Sequence, residues 1–334
     1  MVKILVIGAA GYFGLRVSQF LRRENHVVYG TTRSISKENL LLSNEIIPIV
    51  GPVESSDKHP AWLDVVKTEN IDIVIDFSGI QNGIKVIVEP LIKLSKERQS
   101  DHRAKIGFIY CSGAWVLGSG YDLVNDLTPV GTKNSHRPPP SLVAWRPEVE
   151  RQVLASYDHL NAVVIRPSLA YGGTADVWDY YFSQIYTAVQ KESPELTLAA
   201  DPHGALGLIH VDDVASGFLA AVEKLELVAG RKNGYPLFNL ATSFESTQLI
   251  LHRAASAMGY KGKVTVTGAP KGDGMPDIFL RAFNTTINAD SSRARSVLGW
   301  KPTKTGMASG IEIYAKSWIG GHLLKQQAAK ETKK

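Results

Sequence analysis

The sequence predicts an α/β protein, a doubly wound parallel sheet with a smaller, interleaved C-terminal substrate domain. Three observations carry that expectation. The chain opens on the apolar run Val2 to Ile7 and passes straight into glycine, as a strand buried on both faces does. Short apolar runs then alternate with stretches of helical apolar spacing, the signature of parallel strands joined by right-handed crossovers. With 334 residues, 44% of them apolar and 21% charged, the chain can bury a core without disulfide or metal staples and still form a second unit.

The elements follow in order. After the first strand, apolar residues at 17, 20 and 21 mark a helix, and Val27-Val28-Tyr29-Gly30 reads as the second strand. The third, Ile46 to Val50, contains Pro48, which confines it to a sheet edge or a bulge. Ile71 to Phe77 is the fourth. A helix is expected over about 84–97, with apolar residues at 84, 87, 88, 91 and 94, and Lys105 to Cys111 is the fifth strand. The stretch 131–140 reads as a loop ending in three prolines. Pro147 suits the first turn of a helix with apolar positions 149, 153, 154 and 157, and Asn161 to Ile165 is the sixth strand. Beyond it the alternation fades. The expected division is therefore 1–168 with 205–223 and 237–242 as a dinucleotide-binding unit, and 169–204 with 224–236 and 243–320 as a substrate unit. A basic tail, 321–334, follows.

Composition excludes several function classes. A single cysteine, Cys111, rules out an intrachain disulfide and any zinc site built on paired cysteines, and no histidines stand at HxH or HExxH spacing. The formal charge of +5 is mostly local, because Lys325 to Lys334 hold four lysines and one glutamate. That reads as a solvated, mobile end rather than a nucleic-acid surface, since no interleaved aromatic and basic motif accompanies it. No apolar run has the length of a membrane span and no signal peptide is evident, so a cytoplasmic protein with no nucleic-acid or membrane partner, monomer or homodimer, is expected.

Directly after the first strand comes Gly8-Ala9-Ala10-Gly11-Tyr12-Phe13-Gly14, followed by a helix. The first glycine allows the tight turn, the second lets backbone N–H groups approach a pyrophosphate, and the third permits close packing of helix on strand. The helix N-terminus adds partial positive charge. In this strand–turn–helix setting the motif implies a Rossmann-type dinucleotide site. Where NAD sites usually carry Asp or Glu to bind the ribose 2′-hydroxyl, this chain has Gly30-Thr31-Thr32-Arg33-Ser34, with Lys37 close behind. Arg33, supplemented by Ser34 and Lys37, suits a 2′-phosphate, so NADP(H) is the expected cofactor.

With these residues in hand, the sequence resembles the extended short-chain dehydrogenase/reductase family of epimerase/dehydratase type. The GxxGxxG loop is one landmark. Others are 72–79 with Ser78-Gly79 at the end of strand four, Tyr110 to Gly118 on strand five, and Arg166-Pro167-Ser168 to Gly172 on strand six. His210-Val211-Asp212-Asp213 and Leu298 to Pro302 complete the series. The resemblance implies that Gly8, Gly11, Tyr12, Phe13, Gly14, Ser78, Gly79, Pro167 and Ser168 border the cofactor.

The resemblance breaks at the chemistry. The family uses a YxxxK pair with a Ser or Thr from strand five, in which tyrosine is the acid/base and lysine holds the ribose. None of the twelve tyrosines here has lysine four residues later. Alignment on Glu150-Arg151 puts Leu142 at the tyrosine position and Arg146 at the lysine position. Gly113 takes the hydroxyl position, with Ser112 one residue early, and Pro52 replaces an Asp after strand three.

Three readings remain open: an NADP(H)-dependent oxidoreductase acting on a small carbonyl or enone-type substrate with a non-standard site, a redox-neutral isomerase or cyclase, and a non-catalytic sensor resembling the NmrA-like regulators. For the first, Ser112 through water, or a tyrosine such as Tyr121 or Tyr171, would replace the family acid, and Arg146 would hold the ribose. His210 and Arg166 read as structural. Trp145, Trp178, Tyr180 and Tyr181 either line an apolar pocket or belong to the core.

Overall fold

The computed structural model describes residues 1–331 except 55–59, 136, 174–175, 233 and 305. Seven parallel strands make the central sheet: β1 (Lys3–Ile7), β2 (Val27–Thr32), β3 (Ile47–Val50), β4 (Ile73–Asp76), β5 (Ile106–Cys111), β6 (Leu160–Pro167) and β7 (Leu237–Leu240). Their spatial order is β7-β6-β5-β4-β1-β2-β3. Pro48 stands in β3, at the sheet edge, where its missing N–H breaks no inner ladder.

Period-2 alternation sends β1 side chains to both faces. Ile4 and Val6 join one core with Val17 and Leu21 of helix Tyr12–Arg23 and Val214 and Phe218 of helix Val211–Val228. Leu5 and Ile7 join the other, with Trp62, Leu91, Val149 and Val153 of helices Ala61–Thr68, Glu89–Ser100 and Arg146–Ala155. Helices on both faces of a parallel sheet are the doubly wound arrangement. The helix expected over 84–97 runs from 84 to 100, and its first turn, Ile84–Val88, is a π-turn. Pro90, which has no N–H to return to the Val86 carbonyl, follows immediately.

A second core gathers Tyr171, Trp178, Tyr181, Phe182, Leu208, Leu251, Phe283 and Trp318. Strand Ala205–His210 lies between Leu169–Tyr171 and Ser243–Ser246 in a three-stranded sheet. It therefore sits away from the seven-stranded sheet, although the sequence groups it with the dinucleotide unit. The boundary expected at 223/224 falls inside helix Val211–Val228, whose buried positions 211, 214, 215, 218, 221, 222 and 225 run unbroken through it. The basic tail is also redrawn. Up to Glu331 it continues helix Ile311–Glu331, as a run of Leu, Lys, Gln and Ala after Gly321 favours. Among the described residues no helix is long and apolar enough to cross a membrane.

Two carboxylates fasten the end of the chain. Asp213 accepts from the backbone N–H groups of Thr303 (2.8 Å) and Lys304 (3.1 Å), and Glu245 from those of Met307 (2.8 Å) and Ala308 (2.7 Å). A third structural acid, Glu150, is paired with Arg166. Arg166 Nε lies 2.8 Å from Glu150 Oε1 and Nη2 lies 2.5 Å from Oε2, with both side chains all but fully buried.

His210 caps helix Val211–Val228, its Nδ1 accepting the Asp212 N–H at 3.1 Å. Burial holds its pKa below the ordinary value of 6.5, against the pull of Asp212 and Asp213 and with the help of Lys304 and Arg16. A histidine kept neutral in the fold binds its proton first in the unfolded chain. Its contribution is therefore intact above about pH 6.5 and lost as pH falls below that. We expect the His210 resonance to titrate below 6.5. The variant His210→Asn, which keeps a capping acceptor without the proton, should lose less stability between pH 7.5 and 5.5 than the parent in urea melts.

Candidate active site

The order of the central sheet reverses beside β1, so a crevice opens beyond the carboxyl ends of β1 and β4, where ligands of such sheets bind. Gly8, the first residue after β1, has φ +81° and donates its N–H to Thr31 Oγ1 of β2 at 2.9 Å. Gly11 donates to the Gly8 carbonyl at 3.0 Å. A Cβ on Gly14 would stand 2.1 Å from the Gly8 oxygen, so a side chain there is incompatible with this loop. The N-cap residue Gly11 offers no side-chain acceptor, and its carbonyl takes the Leu15 N–H at 2.9 Å. The helix N-terminus thus carries no side-chain cap, and its first turn has the geometry in which backbone N–H groups meet an anion. Tyr12 also ties this loop to the second unit, its hydroxyl donating to the Gly172 carbonyl at 2.7 Å.

Arg33 and Ser34 follow β2 directly and are exposed, and the Ser34 N–H is held by Thr32 Oγ1 at 3.3 Å. Lys37 Nζ reaches the Ala10 carbonyl of the glycine loop at 3.4 Å. Of the three residues picked from sequence, Lys37 is the one with a contact to the glycine loop, while Arg33 and Ser34 stand exposed at the end of β2. At the end of β4, the Ser78 N–H donates to Asp76 Oδ1 at 2.8 Å, and Gly79 has φ +65°. Burial raises the Asp76 carboxyl above its usual range, opposed by the Ser78 bonds and Arg146.

Arg146 turns inward. It opens helix Arg146–Ala155, donates from Nη1 to the Cys111 carbonyl at 3.2 Å and to Tyr110 Oη at 3.4 Å, and stacks 4.7 Å from the Trp145 ring centre. A Cβ on Gly79 would lie 3.6 Å from its Nη2. Burial raises the Tyr110 phenol far above its normal range and pushes Cys111 up to about 12, so both stay protonated beside the guanidinium. Leu142 lies one turn earlier, in the short 3-10 turn Ser141–Val143 rather than in the helix, because Pro147 fits the helix at its first turn.

These elements enclose a cavity of about 570 Å³, lined by Tyr12, Phe13, Gly79, Ser112, Gly113, Leu142, Arg146, Pro167 and Ser168 among others. Ser112 and Ser168 are tied through their backbones, to Ile165 and Leu240 carbonyls at 2.8 Å each, and neither buried hydroxyl has a hydrogen-bond partner among the described residues. A Cβ on Gly113 would find its nearest neighbour, the Pro167 oxygen, 4.0 Å away. A hollow of about 480 Å³ lies at the other end of the strands, near Val2, Asp72 and Lys105. It is far from the glycine loop and from the carboxyl ends, so the crevice is the better candidate.

The tyrosines suggested as substitute acids do not meet this cavity. Tyr121 is exposed and donates to the His203 carbonyl, and Tyr171 is buried against His210 and Tyr314. Trp178 and Tyr181 belong to the second core, hydrogen-bonded to the Ala170 and Ala199 carbonyls at 2.9 Å each. Tyr180 packs edge-on against Tyr181. Trp145 is the aromatic of that group that lines the cavity, joined by Trp115, Val143, Val177 and Gln81, which sequence reasoning missed. Trp115 carries no pattern of its own, although it sits on the strand-five segment already singled out.

Comparison with known proteins agrees with this architecture. Residues 4–95 match the NAD dependent epimerase/dehydratase family. UDP-glucuronate 4-epimerase 6 of Arabidopsis thaliana is 21% identical over 99% of this chain and 74% of its own. The chloroplast stem-loop binding protein of 41 kDa b of the same plant is 24% identical over 90% of this chain and 75% of its own. Among solved structures, dTDP-glucose 4,6-dehydratase of Bacillus anthracis, in complex with NAD, superimposes with a TM-score of 0.72 at 15% identity, covering 96% of this chain and 97% of that one. The fold is that of the extended short-chain dehydrogenase/reductases.

Proposed function

From that fold, we propose that the protein is an NADP(H)-dependent oxidoreductase acting on a small organic substrate of carbonyl or enone type, with a non-standard catalytic site. One observation carries the reading. At the switch point of a dinucleotide fold, an inward-facing arginine stands at the lysine position and an apolar residue at the tyrosine position, over a ligand-sized cavity.

The residues fit a dinucleotide. The close approach at Gly14 and the helix N-terminus that follows Gly11 suit a pyrophosphate, with Gly8 and Gly11 shaping the turn. Arg33, Ser34 and Lys37 would take a 2′-phosphate, Arg146 the nicotinamide ribose, and Ser78, Gly79, Pro167 and Ser168 would border the rings. NADPH, when bound, supplies hydride. Ser112 is the candidate to relay a proton through water, and Arg146, always charged, binds without serving as an acid.

Likeness to 4-epimerases favours one alternative, a redox-neutral conversion on the same site. A panel of carbonyl and enone compounds, followed by NADPH oxidation and by product analysis, separates the two. Net oxidation supports the proposal, and conversion without it supports the alternative.

Cofactor choice has its own expected result. NADPH should bind more tightly than NADH in calorimetric titration, and Arg33→Ala should weaken NADPH by about 1.5–3 kcal/mol, the loss of a charge-assisted contact. Equal affinities in the parent would remove the assignment.

A further inference from the structure

We propose that the acceptor at this site is a neutral, flat, conjugated carbonyl compound, and that the cavity rejects phosphorylated or carboxylated substrates. This rests on the oxidoreductase reading and narrows it. The walls come from Trp115, Leu142, Val143, Trp145, Leu169 and Val177, a surface that stacks on and desolvates an apolar ring. Trp115 is braced edge-on by Phe279, at 6.2 Å between ring centres, and the Trp145 indole N–H is tied to the Leu142 carbonyl at 3.2 Å. Both indoles are thus held as walls of the cavity.

Charge in the cavity points the same way. Among the described residues that line it, Arg146 is the one charged side chain; its Nη1 bonds the Cys111 carbonyl and Tyr110 Oη, its face lies on Trp145, and its other nitrogens are those assigned above to the ribose. Burying a phosphate or carboxylate without charge-assisted donors is expensive. Two arginines flank the proline segment 138–140, and both are committed. Arg137 is paired with Asp122, and Arg281 is held by the Gly272 carbonyl and by Asp273 at 3.8 Å. What the cavity walls do offer is two buried hydroxyls, Ser112 and Ser168, without partners among the described residues. Hydroxyls donate to a neutral carbonyl oxygen, and they are too few and uncharged to hold a diphosphate.

The reaction then balances simply. Hydride from NADPH forms a C–H bond at the β-carbon of the enone, the C=C π pair moves to the α-carbon and carbonyl oxygen, and a proton from water completes the saturated ketone with NADP⁺ as co-product.

The test uses NADPH-loaded full-length protein, with binding followed by calorimetry. The probes are benzylideneacetone, a flat neutral enone, and UDP-glucuronate. The enone should bind at least tenfold more tightly, and Trp115→Ala should weaken it at least tenfold while UDP-glucuronate is unaffected. Leu142→Arg, which puts a free cation on the wall, should reverse the preference, and this second variant guards against misfolding of the first. Tighter binding of UDP-glucuronate by the parent, binding of neither probe, or no change of preference in Leu142→Arg would overturn the proposal. Enone binding without NADPH oxidation leaves this inference standing and removes the oxidoreductase reading. Reduction of added NADP⁺ by UDP-glucuronate, oxidised at a ring hydroxyl, does the opposite.

Discussion

Glu150→Leu should cost about 3–5 kcal/mol of stability, read as a shift of the urea midpoint, because it strands the Arg166 guanidinium in the core. The two charges meet through two bonds of 2.8 and 2.5 Å and exclude water almost completely. The double variant Glu150→Leu/Arg166→Met removes both charges and should recover most of the loss, since a buried pair is worth little against apolar residues of similar volume. A single substitution costing less than about 1 kcal/mol would show that the pair is hydrated after all.

Activity should be most sensitive at Leu142. The parent is expected to reduce unactivated ketones far below a typical turnover of about 10 per second, because Leu142 stands where the family has its acid tyrosine. Hydride addition to conjugated enones avoids that need. The triple variant Leu142→Tyr/Arg146→Lys/Gly113→Ser should raise ketone turnover by about 10²–10⁴, the usual contribution of a general acid. The Gly113 step is sterically free, with 4.0 Å to the nearest neighbour of an added Cβ. Ketone reduction by the parent at the typical rate would show that another group already supplies the proton.

The sheet and the glycine loop were legible in the sequence because buried parallel strands are written as continuous apolar runs, and because Gly8, Gly11 and Gly14 each answer a local steric demand. Arg146 was legible by register alone, four residues before Glu150. What sequence could not show was direction. Tyr121 and Tyr171 lie in segments expected near the crevice, yet one side chain turns to the His203 carbonyl and the other into the second core. Trp115 and Val177 line the same cavity although 62 positions separate them, and nothing local marks that they share it. The expected 223/224 boundary falls inside helix Val211–Val228, whose repeat crosses the place where the strand alternation fades.

The two carboxylates that grip the end of the chain impose a timetable on synthesis. Asp213 waits for partners 90 and 91 positions downstream, and Glu245 for partners 62 and 63 downstream. At a translation rate of about 5–20 residues per second, the Asp213 carboxylate remains hydrated for roughly 5–20 s after it is made. Once residue 240 has been made, the nascent chain holds all seven strands of the sheet but still lacks the segment that seals Asp213. A ribosome stalled near codon 300 should therefore display a protease-sensitive intermediate, and release of the last residues should close it in a single step.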